Sequence, residues 1–173
     1  MSDTLIVIIS IGVAAVLLFV FPLMTMADRT DDVSQLVAQS ALTSFVDKVA
    51  STGKISQEDI DELDQQLAST GNLYEVEMEA QIKDSNLGKK VQQAQADKIG
   101  ENVYYTVYTA EIEGEIEENR IYYLKEGDIF TASYKNTNQT IGDVLNNFFY
   151  MVSGNENYSN AGEKTAMVTA DGN

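Results

Sequence analysis

The hydrophobic pattern begins with an apolar run from Leu5 to Met26 that contains no charged residue. Its only polar side chains are Ser10 and Thr25. About 20 apolar residues at ~1.5 Å per residue match the hydrocarbon core of a bilayer. A buried core helix rarely runs so long without one polar face. Residues 1–27 are therefore predicted to form a single transmembrane helix, and Pro22 predicts a kink or the end of that helix.

A secretory signal peptide is the alternative interpretation of this run. Thr25-Met26-Ala27 resembles a cleavage site, after which the mature chain would begin at Asp28. However, no Lys or Arg precedes the run, and the run is longer than the ~7–15 apolar residues of a signal core. Both interpretations send the chain to a membrane. The distribution of Lys and Arg says little about the orientation of the chain in the membrane, because Arg29 is the only such residue close to the apolar run.

A first amphipathic helix is predicted after the span, because apolar residues recur there at three- and four-residue steps. Asp31 or Asp32 is its predicted cap, and Gly53 its predicted end. Its apolar residues are Val33, Leu36, Val37, Ala41, Phe45 and Val49. Two interpretations are open: the whole set faces the protein core, or its membrane-proximal part, Val33, Leu36 and Val37, is an assembly surface for copies of the chain or another anchored protein.

A second amphipathic helix opens at Ser56, with Asp59 three residues later in the arrangement of a capping box. Its predicted end is Gly71. Its acidic side chains, Asp59, Asp61, Glu62 and Asp64, are predicted to form a solvated face, since the spacing of a calcium-binding loop is missing.

From Leu73 the period changes to two, which predicts strands. The predicted strands are residues 73–82, Asn102 to Glu113, and a hairpin of Arg120 to Lys125 with Asp128 to Lys135 around Glu126-Gly127. Asp84 to Gly100 is predicted to be a surface excursion, and Glu115 to Asn119 a turn or short edge segment. Short connections favour an antiparallel sheet.

A second capping signature, Thr140-Ile141-Gly142-Asp143, leads into a short apolar helix that is predicted to cover one face of the sheet. The apolar residues of that helix are Val144, Leu145, Phe148, Phe149 and Val152. The predicted fold class is α+β: a transmembrane helix (1–27), a soluble domain of amphipathic helices and a small antiparallel sheet (28–153), and a flexible tail (154–173). Within the tail, Met167 and Val168 allow for a short strand.

Composition excludes several function classes. The 173 residues carry a formal net charge of −16, nearly all of it after the span. Such a surface repels nucleic acid, whose binding depends on Lys and Arg. The chain has no Cys and no His, which excludes disulfides, the usual zinc sites and Ser-His-Asp or Cys-His catalysis. No Gly-rich phosphate-binding motif is present. We expect no cofactor, no metal and no nucleic-acid partner.

Tyrosines and carboxylates are the remaining candidate chemistry. Alternation along the second strand places Tyr104 and Tyr108 on one face and Tyr105 on the other, so Tyr104 and Tyr108 are a candidate protein-binding face. Ordinary strand propensity and cross-strand packing also account for these tyrosines. A carboxylate pair for acid/base catalysis is available from the acidic run Glu111, Glu113, Glu115, Glu117 and Glu118. Nothing in the sequence places that pair in a cleft.

The order of parts resembles the plan of pilins and pseudopilins: a short amino terminus, an apolar helix, an amphipathic continuation and a small antiparallel sheet. The segments SFVDKVASTGKISQEDIDEL, ASTGNLYEVEMEAQ, GENVYYTVYTAEI and LKEGDIFTASYKNTNQTIGDVLNNFFY resemble small anchored proteins found beside tight-adherence-type pilus and secretion genes in clostridia-like bacteria. The resemblance covers the chain from about Phe21 onward. Prepilins carry a Gly before their cleavage site and a Glu five residues into the mature helix, and this chain has neither. The resemblance therefore implies an architecture and a genomic setting, and no catalytic residue.

These observations together predict a non-enzymatic, membrane-anchored structural or assembly component of a pilus-like or secretion apparatus. The resemblance implies that the soluble domain is extracytoplasmic and that it binds copies of itself or protein partners. The alternative is an anchored extracytoplasmic module that binds a protein ligand through the tyrosine-bearing sheet. An enzyme that uses carboxylates is the third and least favoured class.

Overall fold

The computed structural model describes residues 2–83, 104–144, 147 and 161–172. It has the predicted α+β fold: a long amino-terminal helix, followed by shorter helices and antiparallel sheets. The excursion predicted at 84–100 lies outside the described residues. So does nearly all of the apolar helix predicted after Asp143, of which only a helical start at 141–144 and residue 147 are described.

The amino-terminal helix runs without a break from α1 (Ser2–Ala15) through one π-helical turn (Val16–Val20) into α2 (Phe21–Thr52). The described chain has one helix long and apolar enough to span a membrane, and the most apolar window of that helix has no residue buried in the protein. Pro22 lies in the first turn of α2 and does not end the helix. A proline collides with the carbonyl four residues before it, and the wider π turn immediately upstream accommodates that ring.

α2 enters the domain core from Ser34 onward. Its buried residues are Ser34, Ala38, Ala41, Leu42, Phe45, Val46, Val49 and Ala50. The small residues come first and let the backbone approach the sheet closely, while the larger ones fill the core further along. Phe45 packs edge-to-face on Phe130 at 5.8 Å between ring centroids. The helix ends at Gly53 in the left-handed conformation, with φ of 65°, as predicted.

The main sheet has four antiparallel strands in the order β3-β2-β5-β6. These are β2 (Tyr74–Lys83), β3 (Tyr104–Tyr108), β5 (Ile129–Asn136) and β6 (Ala161–Met167). Alternation sorts β2 as predicted, with Met78 and Ala80 buried in the core and its glutamates on the other face. The inner face packs on α2, which makes α2 the cover of the sheet within the described residues.

The hairpin predicted around Glu126-Gly127 is wrong in its pairing. A turn does lie there, since Asp128 N–H donates to Lys125 O at 3.0 Å and Gly127 has φ of 92°. However, β4 (Ile121–Tyr123) pairs with β1 (Lys54–Ser56) in a separate two-stranded ribbon, and not with β5. β4 has no free edge of β5 to pair with, because β2 and β6 occupy both of its edges. The buried Asp128 carboxylate accepts from Lys125 N–H and from Lys83 N–H, at 2.8 Å each, and so holds the turn on β2.

The strand predicted to run to Glu113 is also wrong beyond Tyr108. Helix α4 (Thr109–Asn119) follows β3 directly and replaces the predicted turn or edge segment. Ile112 and Ile116, four residues apart, are buried, whereas the glutamates between them are exposed. Four-residue spacing places two apolar side chains on one helical face, and that burial outweighs the strand-like alternation of Ile and Glu.

The predicted flexible tail needs correction as well. Residues 161–167 form the edge strand β6, and Val168 is buried in the core. β6 extends along seven residues of β5, from Ile129↔Met167 to Lys135↔Ala161. The sequence signal for this strand is weak, because its Ala, Gly, Lys and Thr residues lack a strong apolar alternation. Helix α3 (Gln57–Ala68) agrees with prediction and begins with the expected capping box of Ser56 and Asp59.

Candidate functional site

The first candidate surface lies on α2 between the apolar run that is long enough to span a membrane and the domain core. Val33, Leu36 and Val37 are 59%, 68% and 37% exposed, and they are named here the assembly stripe. At 100° per residue they fall within a 100° arc beside the arc of Ser34, Ala38 and Ala41, which are buried, and Leu36 lies farthest from those three. The helix therefore presents two apolar faces, one in the core and one to the surroundings. These exposures contradict the interpretation in which the whole apolar set faces the protein core.

The domain is attached to α2 just above the span. Thr140 Oγ1 donates to Asp31 Oδ2 at 2.6 Å and accepts from Asp143 N–H at 3.0 Å, while Thr140 N–H donates to Asp143 Oδ2 at 3.0 Å. Gly142 is buried, and a Cβ added to it would meet the Asp31 carboxylate. The sequence suggested Asp31 as a helix cap. The helix is continuous there, and Asp31 instead receives the capping residue of a segment more than a hundred positions away.

Burial raises the pKa of Asp31, and the nearby carboxylates Asp143, Asp28 and Asp32 raise it further, against the hydrogen bond from Thr140, which lowers it. A raised pKa means that the folded state holds the proton more tightly than the unfolded chain. The contribution of Asp31 to the free energy of unfolding is therefore fully present below the ordinary Asp pKa and is lost as pH rises through the folded-state pKa. The hydrogen bond from Thr140 by itself favours the ionised carboxylate.

Lys48 joins α2 to α3. Its Nζ lies 2.7 Å from Asp59 Oδ1 and 3.1 Å from Glu62 Oε2. Asp59 was predicted to lie on a solvated face, which is wrong, because its side chain is only 10% exposed. Burial acts to raise the pKa of Asp59, but the hydrogen bonds from Lys48 and Ser56 outweigh it and lower that pKa. The same two carboxylates raise the pKa of Lys48.

Asp59→Asn is expected to cost about 1–2 kcal/mol of unfolding free energy at pH 7, because it weakens both a helix cap and an ion pair. Since the folded-state pKa is lowered, the contribution is complete above the ordinary Asp pKa of about 3.9 and is lost as pH falls through the folded-state value. Urea unfolding of the detergent-solubilised protein at pH 7 and near pH 3 measures this. Glu58→Gln, in the same helical turn, is the control. A difference that persists unchanged in acid would contradict the assignment.

The second candidate surface is the outer face of the main sheet. The register confirms that Tyr104 and Tyr108 share this face, opposite Lys83 and Glu79 of β2. Their environments differ, however. Tyr104 is half-buried and its Oη donates to Gly127 O at 3.2 Å, whereas Tyr108 is 61% exposed. Of the two predicted residues, Tyr108 is the one whose ring is available to a ligand.

A groove of about 560 Å³ adjoins Tyr108 on this face. Its side-chain lining includes Tyr108, Thr131, Ser133 and the carboxylates Glu75, Glu77, Glu79 and Glu163. Residues two apart on a strand are ~6.6 Å apart on the same face, so the β2 glutamates form an acidic row. The groove suits an extended basic segment better than an apolar ligand.

The acidic side chains that were the candidates for catalysis or metal binding can be located in the described part of the chain. No group of three or more acidic side chains there is placed to hold a metal ion. The acidic run from Glu111 to Glu118 lies on the solvent side of α4, where its glutamates are exposed. Among the described tyrosines, Tyr122 has the pKa that differs most from its ordinary value. Burial raises that pKa to about 12, with smaller contributions from Tyr105 and Asp128. That phenol packs against the core rather than in a cleft.

Comparisons of the chain with protein-family models, with curated proteins and with solved structures each give no match.

Proposed function

We propose that this protein is a non-enzymatic, membrane-anchored assembly component of a pilus-like or secretion apparatus. The observation that carries the proposal is the assembly stripe, an exposed apolar surface on the side of α2 that faces away from the core. The stripe continues a helix whose preceding turns are lipid-facing, with Met26 67% exposed. A surface in that position suits a second helix that leaves the same membrane alongside it, either from another copy of this chain or from another anchored subunit.

The chemistry of the stripe supports helix packing. Two branched Val side chains and one Leu lie at three- and four-residue spacing, which is the spacing of ridges that pack into a facing helix. Ser40 and Ser44 continue the same side of α2 with small, exposed side chains that permit close approach. From Phe45 onward most apolar residues of α2 are buried in the core. Contact with a neighbouring helix is therefore concentrated in the turns of α2 that follow the apolar run.

Leu36→Glu is expected to abolish self-association or partner capture by the full-length protein while leaving its unfolding free energy within about 0.5 kcal/mol of the parent, because exposed positions away from special features tolerate substitution. Gln39→Glu is the matched control: it places the same side chain on an exposed position of the same helix, off the stripe. The measurement is chemical cross-linking in native membranes, followed by isolation of filaments or partner complexes. Equal loss in both variants would indicate an effect of charge rather than of the stripe.

A binding module that uses the outer sheet face is the second candidate, favoured by the acidic groove beside Tyr108. The same capture experiment separates the two functions. Tyr108→Ala would abolish capture and Leu36→Glu would preserve it if the groove binds the partner, whereas the assembly function requires the reverse.

The soluble domain is proposed to lie outside the cytoplasm, in line with the pilin-like plan. Protease added to intact protoplasts is then expected to remove the domain and leave a protected membrane fragment. Sequencing the mature amino terminus in the same preparation tests the anchor, which is expected to remain attached. Full protection of the domain would place it in the cytoplasm, and a mature chain that begins at Asp28 would establish the signal-peptide alternative.

A further inference from the structure

Two loops form the end of the domain nearest the membrane span, and they are bonded to each other. Leu73 N–H donates to Asn138 Oδ1 at 2.7 Å, and Thr137 N–H donates to Leu73 O at 2.9 Å. Asn138 Nδ2 donates to Asn72 Oδ1 at 3.4 Å. Residues 70–73 and 137–144 thus make one connected surface, named here the base. The bond from Thr140 to Asp31 fixes the base to α2.

The base lies level with the end of the span. A groove of about 450 Å³ separates it from the helix. On the helix side it is lined by Leu23, Met26, Ala27, Thr30 and Asp31, and on the other side by residues 70–72 and 138–142. Leu23 and Met26 belong to the apolar run. Asp31 is five residues beyond Met26, or ~7.5 Å along the helix, which is about the thickness of one headgroup layer.

The base also carries exposed apolar side chains in a strongly acidic domain. Ile141 is 75% exposed, Leu73 68% and Val144 54%. Single exposed apolar residues are common on protein surfaces. These three differ because they lie on one connected surface that borders the lipid-facing end of the transmembrane helix.

We propose that the base is a membrane-interfacial surface: Ile141, Val144 and Leu73 enter the headgroup region of the leaflet from which α2 emerges, and lipid of that leaflet fills the groove. The occupant follows from continuity, since the exposed apolar side chains of Leu23 and Met26 line the groove at the end of the apolar run, where a bilayer around that run would bring lipid against them. Asp143 within the base and Asp31 beside it disfavour anionic lipid, so a zwitterionic headgroup fits better. The surface gives the domain a second membrane contact. That contact would fix the orientation of α2, so that the assembly stripe stays available to a neighbouring helix.

The absence of Trp from the chain allows a direct test with single-Trp variants. Full-length Ile141→Trp and Val144→Trp proteins are reconstituted in phosphatidylcholine vesicles whose acyl chains are brominated near the ester end. We expect blue-shifted emission and a loss of roughly half its intensity in brominated lipid, because interfacial side chains reach ~5–10 Å into the headgroup and acyl boundary. Glu126→Trp, on an exposed turn close to the opposite end of α2, is the control and should be unquenched.

Each variant must first show the same unfolding temperature as the parent protein. Because two positions are probed, the test can still be read if one of the two variants misfolds. Water-like, unquenched emission from both base positions would overturn the proposal. Blue-shifted emission without quenching by bromine would also overturn it, since a protein surface would then cover the base. Repeating the measurement in the Leu36→Glu background keeps the result independent of assembly through the stripe.

Discussion

Phe45→Ala is expected to lower the free energy of unfolding by about 3–5 kcal/mol, the usual cost of truncating a buried Phe. Phe45 is 5% exposed and packs edge-to-face on Phe130 across the interface of α2 with the sheet. Its loss removes the buried apolar area of the ring and leaves a cavity that the α2 backbone has little freedom to close. Urea unfolding of the full-length protein in detergent, followed by circular dichroism, measures the difference.

Leu36→Ala, about two and a half turns earlier on the same helix, is the control for this prediction. Leu36 is 68% exposed, so its truncation is expected to change the unfolding free energy by less than about 0.5 kcal/mol. The contrast between the two positions tests the division of α2 into a core face and an assembly stripe. If Leu36→Ala destabilises the protein as much as Phe45→Ala, the stripe is core. The assembly proposal would then lose its support, and the binding-module alternative would take its place.

Gly53→Ala is expected to cost roughly 2–5 kcal/mol, because two separate penalties add. The first is the left-handed conformation, with φ of 65°, which costs an L-residue ~1–2 kcal/mol. The second is steric, since an added Cβ would meet Ala170 O and the amide nitrogen of Gly172, at 2.6 Å from the latter. Overpacking of this kind costs ~1–3 kcal/mol. These neighbours are backbone atoms, so relief requires the carboxyl-terminal segment to move away.

Gly71→Ala separates the two penalties. Gly71 has φ of 80°, but nothing lies within 4 Å of the position of an added Cβ. Its replacement should therefore show the conformational cost alone, and the excess at Gly53 measures the packing of the carboxyl-terminal segment against the end of α2. Hydrogen exchange at Val168 and Thr169, whose amides donate to Asp128 O and Ala50 O, should rise in Gly53→Ala and stay unchanged in Gly71→Ala. Equal costs at both positions would show that the close contact contributes nothing.

Local chemistry explains what the sequence by itself determined. The uninterrupted apolar run specifies a helix of membrane-spanning length whatever surrounds it, because its composition is uniform on all sides. Ser56 and Asp59 specify the start of α3, and Thr140 and Asp143 make the same reciprocal bonds, because both partners lie within one turn. Gly53 marks the end of α2 because the left-handed conformation is local as well. The division of β2 into core and solvent faces follows from simple alternation.

Only the tertiary structure decided the features that depend on distant partners. β4 pairs with β1 rather than β5, because β2 and β6, both distant in sequence from one another, occupy the two edges of β5. Strand β6 exists because β5 offers it an open edge, although its own residues barely favour a strand. Val33 and Phe45 belong to one series of apolar residues at three- and four-residue steps, and the placement of the sheet leaves the first exposed and buries the second. Asp31 became the attachment point of the base because the fold brings Thr140 to it. The pattern of hydrophobic positions indicates which side chains would gain stability from burial, but the placement of the other elements determines which of them are buried.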